Sequence, residues 1–217
     1  MDDQDYIKQL EQCYTGVVHD VMSEMGLENF TFPPELKPLL PQKVICGPVF
    51  TIEGKRTNTA SGHETLLAWT GLLSKAKSGH IWVSQPHDLT IAHMGELSAE
   101  TLHKKGVLGC IVDGGIRDSH FMEKLGFQNW RRFHTPRDVV GTWLPTGFDV
   151  DIIIGDVLIK PGDIILADLD GIVRIPKADL AEVTLKSHEA MHKENKVRTA
   201  IINGMDPQDA YLKYGKF

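Results

Sequence analysis

Three short segments bring together residue types that could do chemistry. The first is Gly95-Glu96-Leu97-Ser98. A glycine leading into a helix leaves the first backbone N–H groups without intrahelical acceptors. Those donors and the helix dipole favour an anion such as a carboxylate or a phosphate. The same four residues also read as a plain loop-to-helix junction. The second segment, Asp113-Gly114-Gly115-Ile116-Arg117-Asp118, follows the apolar pair Ile111-Val112. It leaves a buried strand and enters a helix, and in open α/β sheets ligands gather at the carboxyl ends of strands. Arg117 is suited to fork onto a carboxylate and Asp118 to hold a hard cation. Alternatively, Asp118 is a helix N-cap and Arg117 a surface ion-pair partner. The glycine pair lacks the spacing of a dinucleotide fingerprint.

The third segment, His188-Glu189-Ala190-Met191-His192, matches H-E-x-x-H on a predicted helix, the pattern of a zinc metalloprotease. Such a site needs a third ligand. No histidine follows His192 and no glutamate follows Glu194, and the chain has 10 histidines, so the preferred reading is a solvated helix face. His93 stands just before the Gly95 segment, within reach of a ligand there, and His134 precedes Thr135-Pro136 in what reads as a structural position. No G-x-S-x-G elbow or P-loop is present.

The elements that must position these segments follow from hydrophobic periodicity and turn residues. Helices are expected over 4–12 and 16–25, with Thr15 capping the second and Gly26 ending it. Strands are expected over 44–53 and 80–84, with a helix over 64–75 between them. Gly95 opens a helix over 96–105, followed by a buried strand over 107–112, a turn at 113–115 and a helix over 118–125. A strand over 128–133 completes an alternation typical of an α/β layer. Further short strands are expected over 149–159, 164–167 and 172–175. Two strong turns, Pro161-Gly162-Asp163 and Asp168-Leu169-Asp170-Gly171, separate them. A long helix over 178–203 and a last one, opened by Asp206-Pro207, close the chain. The stretch between Glu96 and Arg117 holds one helix and one strand, so two helix N-termini can reach the same sheet edge. An anion cradle, Arg117, Asp118 and the carboxylate of Glu96 would then share one cleft.

The 217 residues carry no linker and read as one domain, 1–217. A hydrophobic content of 41% with 24% charged residues supports a sizeable core. A net charge of −6 argues against nucleic-acid binding, which needs a surplus of lysine and arginine. Cys13, Cys46 and Cys110 form no CxxC pair and suggest neither a zinc ribbon nor a disulfide framework. No apolar stretch approaches membrane-spanning length, and the acidic Met1–Asp5 segment lacks a signal-peptide core, so a cytoplasmic location is the expectation.

Taken together, Gly95-Glu96-Leu97, Gly106-Val107-Leu108-Gly109 and Val112–Asp118 resemble the core of the RraA-like family. Cys46-Gly47-Pro48-Val49-Phe50-Thr51 is similar to that family's early strand, and Pro161–Asp163 with Ala167–Val173 to its late β-unit. The resemblance runs from about Thr15 to Gly204. It implies a swivelling-domain-type α/β/β fold, trimers or dimers of trimers with sites between subunits, and a Mg2+ or Mn2+ ion. It also implies aldolase activity on 4-hydroxy-4-methyl-2-oxoglutarate with oxaloacetate decarboxylase activity. By the same resemblance Asp118 matches the metal ligand and Arg117 the substrate-binding arginine. Glu96 stands where the aldolases commonly have aspartate, and the amides of Leu97 and Ser98 would hold the pyruvyl carboxylate. A water near Glu96 is then the candidate base for the 4-hydroxyl proton. Residues of a neighbouring subunit would read the rest of the substrate, with Glu189 and Glu194 the guesses. One branch of the family is a regulator that inhibits ribonuclease E and lacks the metal-binding aspartate; the intact Asp118 favours the enzyme. A methyltransferase assignment finds no Gly-rich adenosyl-binding loop after the first strand.

Overall fold

The computed structural model describes residues 1–215. Its central layer is four parallel strands in the order β2 (Ile45–Arg56), β3 (Ile81–Gln85), β4 (Gly109–Ile116) and β5 (Asn129–His134). Every residue of β3 and β4 is buried, as parallel strands covered on both faces require. The crossovers α3 (Gly62–Lys75), α4 (Glu96–Lys104) and α5 (Ser119–Leu125) lie on one side. There Trp69, Leu72, Leu102 and Met122 close a core with Phe50, Trp82 and Val112 from the strands.

The other face of the sheet is covered by strands. β7 (Ile152–Ile154) and β8 (Val157–Ile159) form a hairpin whose Ile152, Ile154, Val157 and Ile159 pack on Val83, Ile111 and Trp130. β9 (Ile164–Ala167) joins β2 antiparallel and β10 (Ile172–Ile175) joins β9, while β1 (Lys37–Pro38) borders β5 at the opposite edge. β6 (Trp143–Phe148) runs antiparallel to the second half of β2. The helix–sheet–sheet layering is the expected mixed α/β architecture. A third cluster seats α1 (Asp3–Leu10), α2 (Thr15–Glu24) and α6 (Leu180–Ile202) on β9 and β10, and α7 (Pro207–Tyr214) packs on α6.

Several local expectations are corrected. Thr15 does not cap α2; it is the first helical residue, and the N-cap is Tyr14 without a side-chain bond. The cap comes from across the fold: the Asp168 carboxylate accepts from the Thr15 N–H at 2.8 Å and from its hydroxyl at 2.7 Å. Asp113-Gly114-Gly115 is not a turn but buried strand within β4. The stretch 149–159 is a hairpin rather than continuous strand, turning at Gly155 with φ +65°. The long C-terminal helix begins with a 3-10 turn over Lys177–Asp179, so its α-helical part starts at Leu180. β6 has no counterpart in the sequence reading, because its Pro145 and Gly147 weaken any strand signal.

Candidate active site

Two connections at the carboxyl edge of the parallel strands build the site. The loop from β3 to α4 runs alongside the end of β4. The His93 N–H donates to the Gly115 carbonyl at 2.8 Å, and the Arg117 N–H donates to the Met94 carbonyl at 2.9 Å. Glycine is required for this approach: a Cβ on Gly115 would lie 2.7 Å from the Ile91 carbonyl oxygen and 2.6 Å from the Phe133 ring. That close packing explains why Gly114-Gly115 continues the strand instead of turning.

The zipped loop delivers the start of α4 against Arg117 and Asp118 in a cleft of about 420 Å³. Gly95, Glu96, Leu97, Ser98, Arg117 and Asp118, singled out from separate segments, all line it. Gly95 is the extended N-cap of α4 and supplies no side-chain cap, so the N–H groups of Leu97 and Ser98 remain available to an anion. The Ser98 hydroxyl is otherwise engaged, accepting from Trp69 Nε1 at 2.9 Å. A Cβ at Gly95 would sit 3.0 Å from Asp118 Oδ2 and 3.3 Å from Arg117 Nε, so the glycine keeps the cradle open.

Asp118 occupies the N-cap position of α5 with φ +55°, yet makes no cap bond. Its left-handed backbone turns the carboxylate back toward α4, where Oδ2 lies 3.4 Å from the Glu96 N–H nitrogen. The same oxygen is 3.4 Å from Arg117 Nε. Arg117 Nη1 in turn lies 3.0 Å from Asp138 Oδ2. The other oxygen of Asp138 accepts from the N–H groups of Val139 and Val140, which fixes the carboxylate. Sequence reasoning missed Asp138. The signal was its place in a polar loop just past β5, at the same sheet edge where ligands gather.

Beneath the loop lies a buried pair that the sequence did not reveal as such. Asp88 accepts from the Thr90 hydroxyl at 2.6 Å, from the N–H groups of Thr90 and Ile91, and from His93 Nε2 at 3.2 Å. Burial opposes ionisation of Asp88, but these hydrogen bonds outweigh it and hold the carboxyl at about 2. Burial lowers His93 to about 4, against the pull of Asp88, so the imidazole is neutral. Asp88 thereby pins the segment that carries Gly95.

The H-E-x-x-H segment lies elsewhere, on α6. The rings of His188 and His192 are 4.7 Å apart, and Glu189 is paired with Lys193 at 2.8 Å, which lowers the Glu189 pKa. Among the described residues no group of three or more His, Cys, Asp or Glu could hold a metal, so the third zinc ligand is missing. Glu194, a guess for a residue serving a neighbouring site, accepts from the Tyr14 hydroxyl of its own chain. Cys110, Cys46 and Cys13 are buried, and burial raises all three thiols.

Comparison with known proteins decides the family. The RraA-like model, described as Aldolase/RraA, matches residues 15–174. The chain belongs to the RraA-like family. A relative from Halalkalibacterium halodurans, named "Putative 4-hydroxy-4-methyl-2-oxoglutarate aldolase", is 28% identical over 96% of this chain and 94% of its own length. The protein DlpA of Legionella pneumophila is 26% identical over 96% of this chain, which spans only 33% of that longer protein. Among solved structures, RraAS2 of Streptomyces coelicolor, described as an unusual member of the RNase ES inhibitor RraA protein family, has a TM-score of 0.81. It is 23% identical, with 91% of this chain and 97% of that one covered, and supports the fold. A crystal structure described as one of novel cellulases from gut-associated microbes reaches a TM-score of 0.85 at 31% identity, covering 90% and 88% of the two chains.

The oxygen donors around Asp118 are of the type a hard divalent cation takes. Three carboxylates, Glu96, Asp118 and Asp138, line the cleft with the single guanidinium of Arg117. A cation there would have one carboxylate from Asp118, and water or substrate oxygens would have to fill its other positions.

Proposed function

We propose that this RraA-like chain is a lyase. It cleaves the carbon–carbon bond of 4-hydroxy-4-methyl-2-oxoglutarate or a related 4-hydroxy-2-oxo acid, and it decarboxylates oxaloacetate. The observation that carries this reading is the meeting of the open α4 N-terminus with Arg117 and Asp118 across one cleft. A divalent cation at Asp118 would supply positive charge for the carboxylate and keto oxygens of the 2-oxo acid.

The chain's own groups divide the remaining work. The amides of Leu97 and Ser98 bind the pyruvyl carboxylate. Arg117 donates to the oxygen on which negative charge grows when the bond beyond C3 breaks. In aldol cleavage the 4-hydroxyl loses its proton, C3–C4 breaks, a new carbonyl forms at C4, and the electron pair passes into the pyruvate enolate. Glu96 takes that proton through a water. In oxaloacetate decarboxylation carbon dioxide leaves instead, and no hydroxyl proton has to move. The exposed Leu66 and Leu97 at the cleft mouth suit cover by a neighbouring chain, consistent with a trimer or a dimer of trimers.

The experiment is pyruvate release from both substrates, with Mg2+ and with excess chelator. Metal-dependent release from both is expected. Release from neither, with substrate and Mg2+ in excess, would remove the reading.

A further inference from the structure

Behind Arg117 and Asp118 lies a second depression, about 260 Å³, lined by Ile116, Arg117, Asp118, Ser119, His134 and Pro136 among others. It shares Arg117 and Asp118 with the main cleft, so the Arg-Asp pair stands between the two and borders both. The polar groups on its far side form a chain. Arg131 Nε lies 2.8 Å from His134 Nε2, and His134 Nδ1 lies 3.2 Å from Ser119 Oγ.

The direction of this chain follows from valence. Arginine has only N–H donors, so His134 Nε2 must accept. The proton of the neutral imidazole then resides on Nδ1, which donates to Ser119 Oγ. Burial and the neighbouring Arg131 both lower the His134 pKa and hold the ring in that neutral form. Arg131 is itself anchored, its Nη1 donating to the Lys37 carbonyl on β1. Ser119 Oγ is an acceptor within the protein, and its own hydrogen meets no acceptor among the described residues. A cationic guanidinium thus polarises, through one imidazole, a hydroxyl left with a donor to spare.

We infer that Ser119, oriented by His134 and Arg131, is a subsite for the distal carboxylate of the substrate, making the enzyme selective for dicarboxylic over monocarboxylic 2-oxo acids. The inference rests on the proposed lyase reading for the placement of the pyruvyl end. With that end at Leu97 and Ser98, the scissile bond lies near Arg117 and the departing half falls in the second depression. An anion there accepts the Ser119 O–H.

Isothermal titration with uncleavable ligands tests this apart from turnover. The probes are 2-oxoglutarate and 2-oxopentanoate, which share the 2-oxo acid end and differ in a terminal carboxylate against a methyl. In Mg2+ buffer the native chain should bind 2-oxoglutarate about tenfold more tightly or better, the worth of a hydrogen bond to a charged group. Ser119→Ala should erase most of that preference without weakening 2-oxopentanoate, and Ser119→Thr, which keeps the hydroxyl, should retain it. Equal binding of the two ligands by the native chain, binding of neither, or an undiminished preference in Ser119→Ala would overturn the subsite. A preference that behaves as expected, without pyruvate release from any 4-hydroxy-2-oxo acid, would leave the subsite standing and remove the lyase reading instead.

Discussion

Arg117 is held between two carboxylates, with Nη1 3.0 Å from Asp138 Oδ2 and Nε 3.4 Å from Asp118 Oδ2. Asp138 is itself fixed by backbone N–H groups of its own loop, so it aims the guanidinium from across the cleft. Both carboxylates are partly exposed, so these pairs matter for orientation more than for stability. In Asp138→Asn the loop can still be capped, but the group facing Arg117 becomes a donor. Turnover should fall roughly ten- to a hundredfold, the scale of a misplaced catalytic group, with little change in melting temperature. Steady-state kinetics showing unchanged kcat would dismiss a positioning role.

The metal prediction turns on the backbone at Asp118. Asparagine tolerates the same left-handed conformation, so Asp118→Asn should fold normally while losing the charge. Its turnover should drop by about two orders of magnitude or more, as expected when a metal's contribution to charge stabilisation is removed. Added Mg2+ should not rescue it. Full activity of the native chain in excess chelator would contradict the cation altogether.

Glu96 and Arg117 should separate when both reactions are measured on one preparation. Losing Arg117 removes a donor to the developing charge in either reaction, roughly 3 kcal/mol or a hundredfold in rate. Glu96→Gln should slow aldol cleavage by about 10²–10⁴, the range for a general base, and spare oxaloacetate decarboxylation. Equal losses in the two reactions would refute the base assignment. No loss in either would leave Glu96 as a simple partner of the helix dipole.

The buried His93 gives the fold a pH dependence of definite sign. Burial lowers its pKa to about 4 in the folded chain against the ordinary 6.5 of an exposed imidazole, so the unfolded chain takes up the proton first. The contribution is fully present above pH 6.5 and is lost as pH falls toward 4, amounting to roughly 3 kcal/mol at its fullest. Asp88, held near 2, adds a loss of the same sign at lower pH. Urea denaturation between pH 7.5 and 4.5 should show the decline, and His93→Gln should flatten it. An unchanged slope in that variant would show that the acid lability originates elsewhere.

Assembly is expected to complete the cleft mouth, where Leu66 is 50% and Leu97 is 75% exposed. Light scattering should give three or six times 24.2 kDa. A fully active monomer would contradict that, while Leu97→Glu should weaken assembly and turnover together.

What the sequence revealed of the site was its local part. Gly95 through Ser98 and Arg117-Asp118 each carry a signal in a few consecutive residues, and the strand–helix alternation brings them to one edge. Asp138, the Asp88–His93 pair and the Arg131–His134–Ser119 chain carry no such signal, because their spacings match no motif and the fold alone brings their side chains together. Thr15 shows the same limit. Its type suits a cap, but the helix end is closed by Asp168, 153 residues away, which helix-end rules cannot anticipate. The misread turn at 113–115 has another cause: adjacent glycines signal a turn and a close backbone approach alike, and only the neighbouring loop decides between them.

The ladder joining His93 to Gly115 and Met94 to Arg117 has a consequence for how such a site can diversify. On the lyase reading the pyruvyl end leans on the amides of Leu97 and Ser98 and on two glycines, Gly95 and Gly115, where an added Cβ would crowd the Arg-Asp pair or the neighbouring loop. The proposed distal subsite is made of side chains at element ends, Ser119 opening α5 and His134 closing β5, which the ladder does not involve. On that reading, substitutions at Ser119 and His134 would retune which acid is accepted while the bond-breaking end stays constant. One scaffold would in this way serve a series of 2-oxo acids that share a head and differ in the tail.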